Sequence, residues 1–260
     1  MIPIEQILNF YPPALTRNAA FQKHILKEYV QLQVLDFLAT TADVRNIIFI
    51  GGTNLRLVKG IDRFSEDLDF DCKLLDEKAF EDMTESVLLF LRRSGFAVEA
   101  RDRDNSRLTA FRRSLYFPEL LFNLGLTGHR EERFLLKLEA QDQGVAYTPQ
   151  MAFIKGCGLF FAFPVPPDAV LCAMKLAALL NRGKGRDYYD AMFLLAQTQP
   201  DYAFLAARCG VTNLQALKAA IHNNLQAVDL NQKHRDFEHL LFDRDNSRRI
   251  LHFREFVNAL

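Results

Sequence analysis

The short run Asn46-Ile47-Ile48-Phe49-Ile50 is apolar after its first residue, β-branched at three positions, and cut off by Gly51-Gly52. A run of this length, bounded by glycines, reads as a buried strand. After a spacer of fourteen residues, Asp67-Leu68-Asp69-Phe70-Asp71 alternates carboxylates with apolar side chains. A period of two puts Asp67, Asp69 and Asp71 on one face of a strand and Leu68 and Phe70 on the other. A chain with both features is restricted to a sheet with one face in a core and a row of acids on the other.

Each piece has a chemistry. Glycines after a buried strand let backbone N–H groups approach an anion, and Thr53 can add a hydroxyl donor at the start of the helix expected over Thr53–Lys59. A tight strand-to-helix turn that binds nothing has the same signature. The carboxylates narrow the choice. Magnesium takes oxygen ligands and keeps substrate phosphates among them, and Asp67 and Asp69, at i and i+2, can share one or two such ions. Asp71 either extends the row or faces solvent at the strand end. A third carboxylate from a neighbouring strand would complete a two-metal site, in which one ion activates an attacking hydroxyl and the other holds a triphosphate. Glu139, in the strand expected over Phe134–Ala140, is the candidate, and Lys137 shares its face. A merely solvated strand face would show the same pair.

Along the rest of the chain, residues 1–20 with Pro12-Pro13 read as an arm on the surface, and Phe21 to about Ala39 as a helix. A helix is expected from Asp76 to Ser94, ended by Gly95. Two strands, Phe96–Arg103 and Arg107–Phe117, are expected around a turn at Asp104-Asn105-Ser106, and an edge strand over Leu159–Phe163. Pro166-Pro167-Asp168 marks a boundary, with Asp168 as the N-cap of a helix from Ala169 to about Asn181. A second helix follows from Asp187 to about Gln197, and residues 200–260 show helical periodicity. A mixed α/β portion, 1–165, thus precedes a helical portion, 166–260.

Composition excludes several classes. Net charge is zero over 260 residues, so nucleic-acid binding would need a local patch. The four cysteines form no C-x-x-C pair and read as reduced thiols. The opening residues lack a basic stretch followed by an apolar one, and no apolar run nears the ~20 residues needed to span a bilayer. A cytoplasmic protein without membrane contact is expected. The histidines show no zinc-type spacing; His24 reads as a packed or solvated ring. The run Phe160-Phe161-Ala162-Phe163 reads as core before base-stacking platform, and the basic groups Arg101-Arg103-Arg107 and Arg112-Arg113, which could guide RNA, read first as solvated charges.

The pattern Ile50-Gly51-Gly52-Thr53-Asn54-Leu55-Arg56-Leu57, then Arg63-Phe64-Ser65-Glu66-Asp67-Leu68-Asp69-Phe70, resembles the first motif of the AbiEii/AbiGii toxin family. These are minimal nucleotidyltransferases related to the polymerase-β superfamily. The resemblance extends upstream to His24-Ile25-Leu26-Lys27-Glu28-Tyr29. It also extends downstream to Lys175-Leu176-Ala177-Ala178-Leu179 and to Arg182-Gly183-Lys184-Gly185-Arg186-Asp187-Tyr188-Tyr189-Asp190. It covers most of residues 20–200. It implies an α+β fold: a polymerase-β-like mixed sheet with flanking helices, followed by a helical region that closes the active-site cleft. It implies that Lys175, Leu179 and Arg182 line the cleft, with Lys175 holding a triphosphate, and that Asp187 belongs to the site. Asp190 either takes part or fixes Arg186 or Arg182 by an ion pair. Ser65 stands where family members can be phosphorylated.

Residues and resemblance together give a nucleotidyltransferase dependent on Mg²⁺ or Mn²⁺ that moves an NMP from an NTP to RNA. The resemblance suggests a tRNA 3′ end as the acceptor, membership of a type IV toxin–antitoxin or abortive-infection system, and a cognate antitoxin as partner. Asp67, Asp69 and Glu139 are expected to hold metal. Gly51, Gly52, Thr53, Ser65, Lys137 and Lys175 are expected around the nucleotide, with Arg56, Lys59, Arg182 and Lys184 adding positive charge. The alternatives are NMP transfer to a protein side chain and a degenerate nucleotide-binding module.

Overall fold

The computed structural model describes residues 3–73, 75–101 and 110–260. The chain divides into two compact units. The first is made of Met1–Gly60, Phe64–Gly144 and Gln150–Val165; the second of Ile61–Arg63, Val145–Pro149 and Pro166–Leu260.

In chain order the first unit holds α1 (Ile4–Leu8), α2 (Pro13–Thr16), α3 (Ala19–Ala39), β1 (Ile47–Ile50), α4 (Gly51–Leu57), β2 (Leu68–Cys72) and α5 (Glu77–Arg93). It continues with β3 (Glu99–Ala100), β4 (Phe111–Phe117), α6 (Leu120–Asn123), β5 (Phe134–Gln141), β6 (Gln150–Gly156) and β7 (Leu159–Val165). Five strands form one sheet in the order β1-β2-β5-β4-β3. The β2–β5 pair is parallel and the other pairs are antiparallel, so the sheet is mixed. Alternation in β5 is strict: Phe134, Leu136, Leu138 and Ala140 are buried, while Leu135, Lys137, Glu139 and Gln141 take the other face. Helix α5 starts where Asp76 accepts a hydrogen bond from the Ala79 N–H at 2.8 Å, a side-chain N-cap. β6 and β7 form a separate two-stranded sheet. Phe163 of β7 packs on Phe49 and Phe70, with ring centroids 6.0 and 6.1 Å away.

Two expectations are corrected here and one is borne out. The first residues are not a surface arm: α1 and α2 bury Ile4, Ile7 and Leu15. Three apolar side chains at these spacings can anchor two short helices, even with prolines between them. The edge strand expected over Leu159–Phe163 is borne out: it runs over Leu159–Val165 and pairs in a two-stranded sheet with Gln150–Gly156, a strand the sequence reading does not include. The phenylalanine run is split by the pleat, with Phe161 and Phe163 facing inward. Phe160 is 68% exposed and stacks on the equally exposed Phe153. Of the expected basic hairpin, Arg103, Arg107 and the turn at 104–106 lie outside the described residues. Arg101 stacks on the Tyr116 ring.

The second unit holds α7 (Asp168–Arg182), α8 (Gly185–Leu195), α9 (Tyr202–Cys209), α10 (Leu214–Leu225), α11 (Leu230–Arg235) and α12 (Phe253–Ala259), with a 3₁₀ stretch at Arg244–His252. Asp168 is the first residue of α7, not its cap; Pro167 takes the cap position. The acid still sits in the first turn, where it favours the positive end of the helix dipole. Asp62 stitches the short segment Ile61–Arg63 into this unit. Its carboxylate accepts from Tyr189 Oη at 2.7 Å and from Asn246 Nδ2 at 2.9 Å. Among the described residues, no helix is long and apolar enough to cross a membrane.

The burial of α1 has a measurable consequence. Ile7 is fully buried, so Ile7→Ala should destabilise the protein by about 2–5 kcal/mol. Denaturant unfolding checks this, and a change near zero would return the segment to the surface.

Candidate active site

The site is built where β1 turns into α4. The helix begins at Gly51, two residues earlier than expected, and no side chain caps its start. Its first N–H groups therefore lack partners within the helix. Gly51 has φ of +82°, and a Cβ there would lie 2.0 Å from Asp69 Oδ2 and 2.7 Å from Asp69 Cβ. Asp69 is the register partner of Ile50 in the adjacent strand, so its carboxylate occupies the space that a side chain at Gly51 would need.

The same region is tied down by side chains from two helices, α4 and α3. The Thr53 hydroxyl, expected to face a phosphate, is buried and donates to the Asp67 carbonyl oxygen. The Asn54 side-chain amide donates to the Phe49 carbonyl at 2.7 Å. From α3, Gln31 Nε2 donates to the carbonyl of buried Ser65 at 3.1 Å, and His24 stacks on Phe64 with ring centroids 5.3 Å apart. His24 is thus a packed ring. Arg56 donates through Nε and Nη2 to both carboxylate oxygens of Glu28, at 2.8 and 3.1 Å.

The carboxylates sit on one face. Asp69 and Glu139 are register partners across the parallel β2–β5 pair, and paired residues of parallel strands point the same way. Asp67 stands just before β2, with Lys137 Nζ 3.8 Å from its Oδ1. Burial raises the Asp67 carboxyl above its ordinary range. Glu66 and Glu139 push it the same way, while Lys137 and Lys27 pull it down. Glu139 accepts from Arg112 Nε at 2.8 Å, so Arg112 is no simply solvated charge. Asp71 neither extends an open row nor faces solvent. It is fully buried and accepts the Gln143 N–H at 2.9 Å, holding the turn after β5.

This donor set suits a divalent ion. Asp67, Asp69 and Glu139 offer hard oxygen ligands from one face, and Glu139 is close enough to Asp67 to raise its pKa. Among the described residues, no three His, Cys, Asp or Glu side chains are gathered to hold a metal as they stand. Lys137 and Arg112 supply the cationic charge next to Asp67 and Glu139.

Within the helical unit, the other expected site residues form two clusters. Asp190 is fully buried and accepts from Arg63 Nε at 2.8 Å and Nη2 at 2.7 Å, with Lys175 Nζ 2.9 Å from its Oδ2. The expected pairing of Asp190 with Arg182 or Arg186 is replaced by this cluster, because Asp190 points into the core while i, i+4 partners meet at a helix surface. Asp187, also buried, accepts from Arg182 through two bonds at 2.9 Å and from the Lys184 N–H at 3.0 Å. It thereby closes the first turn of α8, and Arg182 is its counter-ion.

A family model, that of the nucleotidyl transferase AbiEii toxin of type IV toxin–antitoxin systems, matches residues 34–257. The chain belongs to this family. Two solved structures share the AbiEii-type fold. MenT4, a nucleotidyltransferase toxin of Mycobacterium tuberculosis H37Rv, matches with a TM-score of 0.63 and 18% identity, over 100% of this chain and 91% of that one. JHP933 of Helicobacter pylori matches with a TM-score of 0.54 and 19% identity, over 91% of this chain and 90% of that one. At these identities the two structures speak for the fold alone. No curated protein matches in sequence. As an AbiEii family member the chain is a nucleotidyltransferase with the mixed α+β architecture described above.

Two predictions follow from this geometry. Gly51→Ala adds a left-handed residue with a Cβ and forces Asp69 aside. It should cost about 2 kcal/mol or more of stability and reduce nucleotide transfer at least ~10²-fold; a variant with normal stability and transfer would show that Asp69 has room to spare. The second concerns Asp190. Burial pushes its pKa up, but Arg63 and Lys175 outweigh that and hold it below the ordinary carboxylate range. A depressed folded-state pKa gives stability that is complete above the ordinary range and is lost as pH falls through the folded value. Asp190→Asn leaves two buried cations with no carboxylate and should cost about 3–5 kcal/mol at neutral pH. The gap to the wild type should narrow in acid unfolding curves below pH ~4.

Proposed function

We propose that the chain moves a nucleoside monophosphate from an NTP to an RNA acceptor of the tRNA 3′-end class, using Mg²⁺ or Mn²⁺. It would act as the toxin of its system, with a cognate antitoxin as its counterpart. The observation that carries the transfer step is the fit of the Asp69 carboxylate over Gly51, in register with Glu139; the RNA acceptor and the antitoxin are proposed from the family. That fit sets an acid row directly beside an uncapped helix start, as transfer from a triphosphate requires.

In this reading Asp67, Asp69 and Glu139 hold the divalent ion. When bound, it supplies Lewis-acid chemistry, lowering the pKa of the acceptor hydroxyl and neutralising phosphate charge. Gly51 and Gly52 offer backbone N–H groups to the phosphates. The acceptor oxygen attacks the α-phosphorus, the bond from that phosphorus to the bridging oxygen breaks, and pyrophosphate leaves with the electron pair. The hydroxyl proton passes to a carboxylate of the row. Thr53, Gln31 and Asn54 act indirectly, by fixing the segments that carry Asp67 and the glycines. Lys175 keeps its proposed part in holding triphosphate on grounds of charge. Ser65 is proposed as a nucleotide neighbour only through its place beside Glu66 and Asp67.

The test incubates purified protein with each labelled NTP, Mg²⁺ and total RNA. Label should enter RNA with one or more NTPs, and Asp67→Ala and Asp69→Ala should each reduce transfer by ~10³-fold or more. Label found only in a nuclease-resistant protein band would replace RNA with a protein acceptor. No label in any macromolecule would sink the reading.

A further inference from the structure

We infer that Lys27 and Lys137 together form the seat for the polyphosphate of the NTP, and for the pyrophosphate that departs. This rests on the transfer reading above and adds Lys27, from a different element, to the residues that serve it. Lys27 lies on α3, on a stripe in which His24, Glu28 and Gln31 also meet the segments around β1 and β2. Its ammonium stands 4.0 Å from Glu66 Oε1, outside hydrogen-bond range, with only 17% of the side chain exposed. It also stands over the Phe134 ring, 5.7 Å from the centroid. Lys137 approaches Asp67 from β5 at 3.8 Å. Two ammonium groups from separate elements therefore converge on Glu66-Asp67, neither in hydrogen-bond contact with the carboxylate measured beside it.

A largely buried lysine is costly unless something anionic compensates it. Burial does lower the Lys27 pKa, and Glu66 and Asp67 only partly restore it. A polyphosphate supplies the missing charge and several acceptors at once. The side chains present also predict a coupling. Lysines that balance the carboxylates oppose a divalent cation there, and the carboxylates oppose an anion at the lysines. A cation on the acids and a polyphosphate on the lysines relieve both, so each should tighten the other. On transfer, the charge gained by the departing pyrophosphate develops beside these two cations.

The test measures binding by calorimetry, with inorganic tripolyphosphate and Mn²⁺ as probes, separately and together. In the wild type, Mn²⁺ should tighten tripolyphosphate binding. Lys27→Met should weaken tripolyphosphate binding about tenfold, the loss of one charge-assisted contact, while leaving Mn²⁺ binding alone unchanged or tighter. Lys27→Arg should keep most of the affinity. Glu66→Gln should leave tripolyphosphate binding unchanged or tighter, and this variant decides the matter where Lys27→Met does not fold. A lysine that serves only to anchor Glu66 predicts the reverse, loss in Glu66→Gln as in Lys27→Met, and that result overturns the seat. So does undiminished binding in Lys27→Met. Where the wild type binds NTP with Mn²⁺ and Lys27→Met binds as tightly, the seat falls and the transfer reading stands. A wild type that binds no NTP at all overturns the transfer reading, and the seat with it.

Discussion

The contact between Gly51 and Asp69 governs the first unit. A carboxylate cannot lie over a helix start unless the residue there lacks a side chain, and the turn from β1 into α4 has a positive φ that a glycine accepts without strain. Both needs fall on one position. The antiparallel β1–β2 register brings Ile50 opposite Asp69, and the parallel β2–β5 register brings Asp69 opposite Glu139. A parallel neighbour keeps its evenly slanted bonds while aligning like faces, so the acids gather without a loop having to carry them. The apolar sides of the same strands fill the core, which makes site geometry and stability consequences of one pleat.

Around this contact, hydrogen bonds serve position more than ligand binding. Thr53 is the clearest case. Its hydroxyl is buried on the carbonyl of Asp67, fourteen residues away, so the glycine turn and the first acid move as one body. Gln31 does the same for Ser65 from α3. Groups held this way lose little on engaging a substrate, because their order was established on folding. Arg56 shows the same economy of charge: the guanidinium that reads as a phosphate ligand in the sequence is bound at both ends to buried Glu28.

How much of this was readable depends on the range of the interaction. The acid row, the glycine turn and the α5 cap are patterns of two to four residues, and period and capping chemistry reveal such patterns directly. The Arg63–Asp190 pair spans 127 residues and has no local signature; only the fold brings the two together. Asp187 is expected in the site only by resemblance, and its capping of α8 depends on a helix start two residues earlier than periodicity gives. The α3 stripe was half visible. Polar His24, Lys27, Glu28 and Gln31 recur at i, i+3, i+4 and i+7 along α3, a spacing that marks one face. What that face meets could not be read before the segment from Phe64 to Asp67 had a place. The phenylalanines of β7 failed for the opposite reason: composition marks them all as core, and the pleat turns Phe160 outward.

Charge arithmetic separates the two ion clusters of the helical unit, one of them open to solvent at Arg182. Asp187 and Arg182 cancel, and the carboxylate also satisfies the Lys184 N–H, so this cluster closes on itself. Asp190 faces two cations and can cancel only one. Replacing a balanced buried pair with apolar residues is often neutral for stability, so such a pair needs no ligand to explain it. Removing one member of such a cluster is a different matter, because it leaves a buried charge without its counter-ion. Arg63 has the better claim on the carboxylate, since its fork meets both oxygens. Lys175, a point charge on a flexible stem, meets one oxygen at 2.9 Å, so the fork fixes the orientation of the carboxylate and the ammonium follows it.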